Sequence, residues 1–384
     1  MNQVVVETLQ NRLASEGRVT FAEFMGTALY HPTAGYYNRQ EMTIGEGGDF
    51  YTSPMVHPIF GACIARQVFQ LWVELGRPAS FMLLEMGAGV GQLAVDLLRT
   101  VAGANPGFFA AIQYVIVEQG AHLRERQKSN LHEHGFTEKV TWYETLDEVP
   151  GQGEREGVIL SNELFDALPV HRLGKSGDGF VEYYVVADGA GFAEEPGPLS
   201  DPKLADLVDE DTKAHLPEGE RVAVCPAAVD VLQAMGRLLN RGFVMTIDYG
   251  NLAPDVHLQH KQADGVRGYY YQKLTQPLQY VGQQDLTADV DFSLLIRSGE
   301  KVGLHEVGFT TQMKLLGGNG FLQKVQELRN KRFDLMADAE LYRMLNLFLP
   351  QSLGDVFKVL FQAKGVSTEG LSGRLNALAF TLDE

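Results

Sequence analysis

The chain has 384 residues, enough for two or three units of ordinary size or one enlarged α/β domain, and with 45% hydrophobic against 21% charged residues it can bury a large core. No apolar run approaches the roughly 18 residues that a membrane helix needs, and a formal charge of −17 excludes a protein that tracks nucleic-acid phosphates while suiting a cationic partner. Two cysteines, Cys63 and Cys225, cannot form a disulfide framework or a four-cysteine zinc site, so an intracellular chain with no structural metal is expected.

The N-terminus, MNQVVVETLQNRL, has neither the basic and apolar stretches of an export signal nor the Arg-rich character of a transit peptide. Thr20 and Glu23 form a capping-box pair ahead of Phe24, Met25, Ala28 and Leu29, which predicts a helix that His31-Pro32 stops. A Gly- and Tyr-rich loop follows, from Gly35-Tyr36-Tyr37 to Gly48-Asp49-Phe50-Tyr51. Thr52-Ser53-Pro54 then reads as an N-cap at Ser53 with proline at N1. It opens one helix whose apolar stripe runs from Val56, Ile59 and Phe60 to Leu71, Trp72 and Leu75.

From Ser80 the pattern becomes short apolar runs separated by helical segments. Phe81–Glu85, Tyr114–Glu118, Lys139–Tyr143, Gly157–Ser161 and Gly242–Asp248 predict a parallel sheet covered on both faces. Between the fourth and fifth strands a hairpin starts at His171, and the stretch from Asp188 to Glu220 carries ten acids and two lysines. That stretch reads as a solvated loop and helix face. After the fifth strand Gly268-Tyr269-Tyr270-Tyr271 lies in a polar segment, Asp285-Leu286-Thr287 is expected to open a helix reaching Ile296, and two late strands end the pattern. The expected organisation is an N-terminal helical lid over 1–80, then a Rossmann-like α/β domain over 81–384 with an insertion at about 170–220.

The strongest motif is Glu85-Met86-Gly87-Ala88-Gly89-Val90-Gly91, a buried strand running into a glycine turn and then a helix. Glycines there let backbone approach a ligand at the carboxyl end of the strand. A dinucleotide fingerprint wants its third glycine where this chain has Gln92. The E-x-G-x-G-x-G arrangement instead resembles the first motif of Rossmann-like S-adenosylmethionine (SAM) methyltransferases, so Glu85, Gly87, Gly89 and Gly91 are candidate cofactor residues, and Gly87→Val is expected to fill the cofactor's space. Glu118 ends the second strand, where one carboxylate can accept both ribose hydroxyls.

Asn162-Glu163-Leu164-Phe165-Asp166 follows the fourth strand. If the segment takes a helical turn, Glu163 and Asp166 share one face. Two carboxylates can hold a guanidinium through parallel charge-assisted hydrogen bonds and align one nitrogen with a sulfonium methyl. Asn162, Glu163 and Asp166 are therefore candidate catalytic residues, against the alternative that Asn162 and Asp166 only cap the turn. His57, near a helix start, is read as a surface or capping histidine rather than a base.

With these segments in order, the sequence resembles the MidA family of SAM-dependent methyltransferases over roughly 18–365. The resemblance is carried by Leu29-Tyr30-His31-Pro32 with Gly35-Tyr36-Tyr37, Gly48 to Pro54, Glu85 to Gly91, Asn162 to Pro169, Ile247-Asp248-Tyr249-Gly250 and Asp285 to Phe292. It implies SAM as cofactor, S-adenosylhomocysteine as product and no metal. It also implies arginine methylation of a partner protein, a respiratory complex I subunit being the family's example. By the same resemblance Asp49, Thr52 and Ser53 contact the cofactor or substrate, and Asp248 and Tyr249 border the acceptor pocket. Met55 and His57 stand where the family has Glu and a small hydroxyl residue, which removes any carboxylate role there. A bacterial cytoplasmic location is expected, or a mitochondrial one if a transit peptide has been removed, and a homodimer stays open. Two alternatives remain: an assembly factor that binds SAM without turnover, and a nicotinamide oxidoreductase disfavoured by the glycine spacing.

Overall fold

The computed structural model describes residues 2–39, 52–259, 264–330 and 335–381. The chain divides into two compact units, one of Met1–Phe50, Phe165–Val231 and Gly250–Leu295, the other of Tyr51–Leu164, Leu232–Tyr249 and Ile296–Glu384. Among the described residues no helix is long and apolar enough to cross a membrane.

The second unit, which carries the glycine loop, is built on strands β1 (Phe81–Met86), β2 (Ile112–Val117), β3 (Val140–Tyr143), β4 (Arg155–Asn162), β5 (Leu239–Asn251), β6 (His305–Thr311) and β7 (Phe357–Lys364). Their order in the sheet is β3-β2-β1-β4-β5-β7-β6. The five strands expected from the sequence pair in parallel, but β7 runs antiparallel to both β5 and β6, so the sheet is mixed. Strand direction was not legible because a strand buried on both faces gives the same continuous apolar run whichever way it points.

One face of this sheet carries Leu83, Tyr114, Ile116, Leu160, Met245, Ile247, Val359 and Phe361 into a core closed by helical residues such as Ile64, Val68, Leu97, Leu316 and Leu347. Each such side chain contributes about 1.5–3 kcal/mol on leaving water. The single helix expected after Thr52 is two: α1 (Ser53–Val56) and α2 (Ile59–Glu74). His57 between them is extended, with φ −163° and ψ 140°. The ring of Pro58 disfavours helical backbone at the residue before it, which breaks the run. Thr52, not Ser53, takes the N-cap position, with no side-chain cap bond. Helix α3 (Gln92–Ala104) leaves the glycine loop, and α4 (Ala121–Glu133) follows β2.

The first unit is mainly antiparallel. His171–Ser176 and Gly179–Asp188 form the expected hairpin, joined by Val19–Thr20, Gly191–Gly197 and Arg221–Val224 in one sheet. The capping box at Thr20 is present with both of its bonds. A further helix, Gln3–Glu16, precedes it; its buried Val5, Leu9 and Leu13 form an i, i+4 stripe that sequence reading passed over. Asp285 does not open a helix: Asp285–Ala288 is a strand paired with Val266–Tyr270, and the helix begins at Phe292. The capping carboxylate is that of Asp291, which accepts from Leu294 N at 3.0 Å, while Asp285 accepts the Tyr37 hydroxyl at 2.7 Å. This unit holds 25 acidic and 11 basic residues, a net −14 of the chain's −17.

Candidate active site

The order of the sheet puts its switch point between β1 and β4, because the chain runs outward from β1 through β2 to β3 on one side and then crosses to β4 and β5 on the other, and ligands of such sheets bind at the carboxyl ends there. The glycine loop after β1, Glu118 after β2 and the Asn162-Glu163 turn after β4 all lie at those ends.

Gly87, Gly89 and Gly91 have φ of 67°, 53° and 79°, left-handed values that explain why glycine stands at all three. The loop is pinned by Gly87 N donating to Val117 O at 3.0 Å and Gly91 N to Ala88 O at 2.7 Å. A Cβ built on Gly89 meets nothing within 4 Å, whereas one on Gly87 lies 3.0 Å from Leu164 Cδ1. The loop is therefore a backbone cradle open on the Gly89 side and closed at Gly87 by the turn after β4.

Glu118 continues the β2–β3 ladder by one bond, its N–H donating to Tyr143 O at 3.0 Å. Its Oε1 accepts from Gly120 N at 2.8 Å and its Oε2 from Gln127 Nε2 at 3.2 Å. A carboxylate has about four lone-pair sites, so acceptor capacity for a diol is left after these two bonds. Burial raises its pKa above the ordinary glutamate value.

Glu85 is buried and receives the Tyr114 hydroxyl at 2.5 Å. Burial pushes its pKa up to about 7, against the Tyr114 bond that lowers it. Because the folded value lies above the unfolded one, the fold favours the neutral carboxyl relative to the unfolded chain. Its stabilisation is present in full below the unfolded pKa and is lost as pH rises through about 7. Between about pH 5.5 and 8.5 this group alone removes roughly 2 kcal/mol. Glu85→Gln, which keeps the shape without the charge, is expected to show a flatter melting-temperature profile over that range, read by calorimetry. A profile parallel to the parent's would mean that Glu85 is ionised in the fold throughout.

The turn after β4 is not helical. Glu163 takes a left-handed backbone with φ 54°, a conformation that costs a non-glycine residue of its kind about 1–3 kcal/mol. Four hydrogen bonds hold it there. Glu163 N donates to Ile247 O at 2.9 Å, Leu164 N donates to Asp248 Oδ2 at 3.2 Å, and Glu163 Oε1 accepts from Ser53 N and from Asn162 Nδ2, both at 3.1 Å. Asn162 Oδ1 is buried without a hydrogen-bond partner among the described residues. The helical turn on which a shared face for Glu163 and Asp166 depended is absent, the segment being extended and then bent. Asp166 belongs to the first unit, where its backbone oxygen accepts from Ala288 N at 2.8 Å and its charge helps burial and Asp285 hold the Tyr37 hydroxyl pKa well above its ordinary value.

The other sequence candidates take supporting places. Ser53 turns its hydroxyl to Gln312 Oε1 at 3.1 Å and gives the site only its backbone N–H. Asp248 is fully buried and accepts from Tyr249 N at 2.9 Å as well as from Leu164 N, so it anchors the turn. The Tyr249 ring packs edge-on against Phe357 at 5.6 Å. His57 Nδ1 accepts from Ile59 N at 3.0 Å and its Nε2 faces Glu340 at 3.2 Å, which is the capping role expected of it. Asp49 lies outside the described residues. Sequence reading missed Tyr114, Gln127 and Asn130, whose polar ends converge on the loop and the two glutamates from neighbouring elements, and Trp142, which donates to Gln127.

A family model described as "Putative S-adenosyl-L-methionine-dependent methyltransferase" matches residues 63–310. The mouse protein named "Protein arginine methyltransferase NDUFAF7, mitochondrial" is 30% identical over 384 residues, spanning 93% of this chain and 84% of its own length. The human protein of that name is 29% identical over 377 residues, spanning 91% and 81%. Both are named as mitochondrial proteins, which gives no support to the cytoplasmic expectation. A crystal structure of a "likely methyl transferase" from Burkholderia thailandensis, bound to S-adenosyl-homocysteine, superposes with a TM-score of 0.84 at 27% identity, covering 98% of this chain and 95% of that one. With the cradle, the acid at the end of β2 and these likenesses together, the chain belongs to this methyltransferase family and is a SAM-dependent methyltransferase.

Proposed function

We propose that the acceptor is an arginine side chain of a partner protein. The observation that carries this reading is Glu163: a carboxylate at the switch point, held in a left-handed backbone by four hydrogen bonds through its own and its neighbour's groups, beside the cofactor loop. Non-glycine residues persist in such a conformation only where the surroundings over-determine them, and these positions concentrate at functional sites. The names of the mouse and human relatives and the net −14 of the first unit, which favours a basic polypeptide, support the same reading.

In this reading Gly87, Gly89 and Gly91 hold the amino-acid and ribose parts of SAM and Glu118 its ribose hydroxyls. SAM supplies an electrophilic methyl group on a sulfonium. Arginine stays protonated far above neutral pH, so Glu163 must bind the guanidinium, orient one nitrogen and take its proton as the nitrogen–methyl bond forms and the sulfur–methyl bond breaks. In this reading Asn162 Oδ1, buried and without a hydrogen-bond partner among the described residues, accepts a second guanidinium N–H. Asp248 acts through the backbone it holds, and Asp166, in the other unit, is not required.

The test is label transfer from methyl-tritiated SAM to matched peptide pools that differ only in carrying arginine or lysine. Label on the arginine pool with an equal yield of S-adenosylhomocysteine is expected. Label on lysine or on small-molecule acceptors alone would overturn the arginine assignment while leaving the methyltransferase.

A further inference from the structure

We propose that Gln127 is a positioning residue for SAM, a single amide that sets both the glycine loop and the Glu118 carboxylate in register for the cofactor. It rests on the reading of the loop and Glu118 as the cofactor cradle.

Gln127 is completely buried in α4, and both of its amide hydrogens and its oxygen are engaged. Nε2 donates to Gly89 O at 2.9 Å and to Glu118 Oε2 at 3.2 Å, while Oε1 accepts from Trp142 Nε1 at 3.2 Å. The indole N–H can only donate, so it fixes which end of the amide is oxygen, and thereby which end faces the loop and the carboxylate. Asn130, one turn further along α4, donates from Nδ2 to Val90 O at 3.1 Å. Helix α4 thus holds two successive loop carbonyls. Peptide units are planar and trans, so pulling the Gly89 carbonyl toward α4 turns the Val90 N–H the opposite way. At Gly91 a Cβ would stand 3.4 Å from Gln127 Cα, so loop and helix are already in close approach there.

The two groups that Gln127 joins come from different segments, the loop after β1 and the end of β2, and each is proposed to touch a different part of the cofactor. One amide spanning both fixes their separation before the ligand arrives, which cuts the ordering cost of binding. Trp142, at the end of β3, touches neither group and acts only through Gln127.

The experiment compares Gln127→Met, which keeps the side chain's length without its polar atoms, with Trp142→Phe, which removes only the indole donor. Titration with S-adenosylhomocysteine is expected to show Kd raised at least tenfold in Gln127→Met and two- to fivefold in Trp142→Phe. KM for SAM should rise in step while kcat at saturating SAM stays unchanged, and the double variant should be no worse than Gln127→Met alone. The chain has two tryptophans, so its indole N–H region in a nitrogen-correlated NMR spectrum holds two signals, assigned by Trp72→Phe and Trp142→Phe. The Trp142 signal should move when S-adenosylhomocysteine is added and the Trp72 signal should not. Affinity within twofold of the parent in Gln127→Met overturns the proposal. If that variant fails to fold, unchanged affinity in Trp142→Phe with a Trp142 signal insensitive to ligand overturns it instead. A parent protein that does not bind S-adenosylhomocysteine at all would overturn the reading of the cradle itself.

Discussion

Gly89→Asn is expected to reduce affinity for S-adenosylhomocysteine by about a hundredfold or more, close to 2.7 kcal/mol, while the ligand-free protein melts within a few degrees of the parent. The loop takes φ of 53° at this position, and a Cβ there meets no protein atom within 4 Å. Asparagine tolerates left-handed backbone better than most residues, so its backbone cost stays near 1 kcal/mol. Its side chain then occupies the open side of the cradle, where a bound cofactor has to lie. Gly87→Val, the variant that the sequence alone suggests, is a poorer probe. Its Cβ would press on Leu164 Cδ1 at 3.0 Å, and a β-branched residue at φ 67° is strained, so lost binding could follow from a displaced turn. Calorimetric titration gives the affinity and a melting scan gives the fold. Binding by Gly89→Asn within threefold of the parent would mean that the cofactor does not pass this side of the loop.

Glu163→Gln is expected to lower kcat by about a hundredfold or more, with affinity for S-adenosylhomocysteine changed less than threefold. The amide keeps one oxygen, which can go on accepting from Ser53 N and Asn162 Nδ2, so the turn survives. What is lost is the negative charge that holds a guanidinium and the base that takes its proton. Alanine would be a worse choice, since it breaks both of those bonds as well. Single-turnover release of S-adenosylhomocysteine with an arginine acceptor present measures the step. Unchanged turnover would remove Glu163 from the chemistry. Loss of cofactor affinity together with turnover would make Glu163 a support of the cradle.

The elements that could be read directly were those whose local signals agree. Thr20 and Glu23 cap a helix with bonds inside one turn, and the run Glu85 to Gly91 carries local signals for a buried strand, a left-handed glycine turn and a helix. The reading failed where a distant contact overrode a local preference. Asp285-Leu286-Thr287 looks like a helix start, but a neighbouring strand claims its backbone and Tyr37 claims its carboxylate. Ser53 looks like a cap, but Gln312, far along the chain, takes its hydroxyl.

By itself the sequence determined the chemistry available to this protein: which strand ends in glycines, which strands end in acids, and therefore that a nucleoside-bearing cofactor belongs at the carboxyl edge of a largely parallel sheet. These follow from backbone sterics and apolar periodicity, both local. Only the tertiary structure decided how the charged groups are used. It raises the Glu85 pKa by burial, bends the turn after β4 through a left-handed residue at Glu163, and brings Gln127 onto the loop with Trp142 bonded behind it. Ionisation and hydrogen-bond partnership depend on what lies within a few ångströms in space, and residue spacing along the chain does not carry that information.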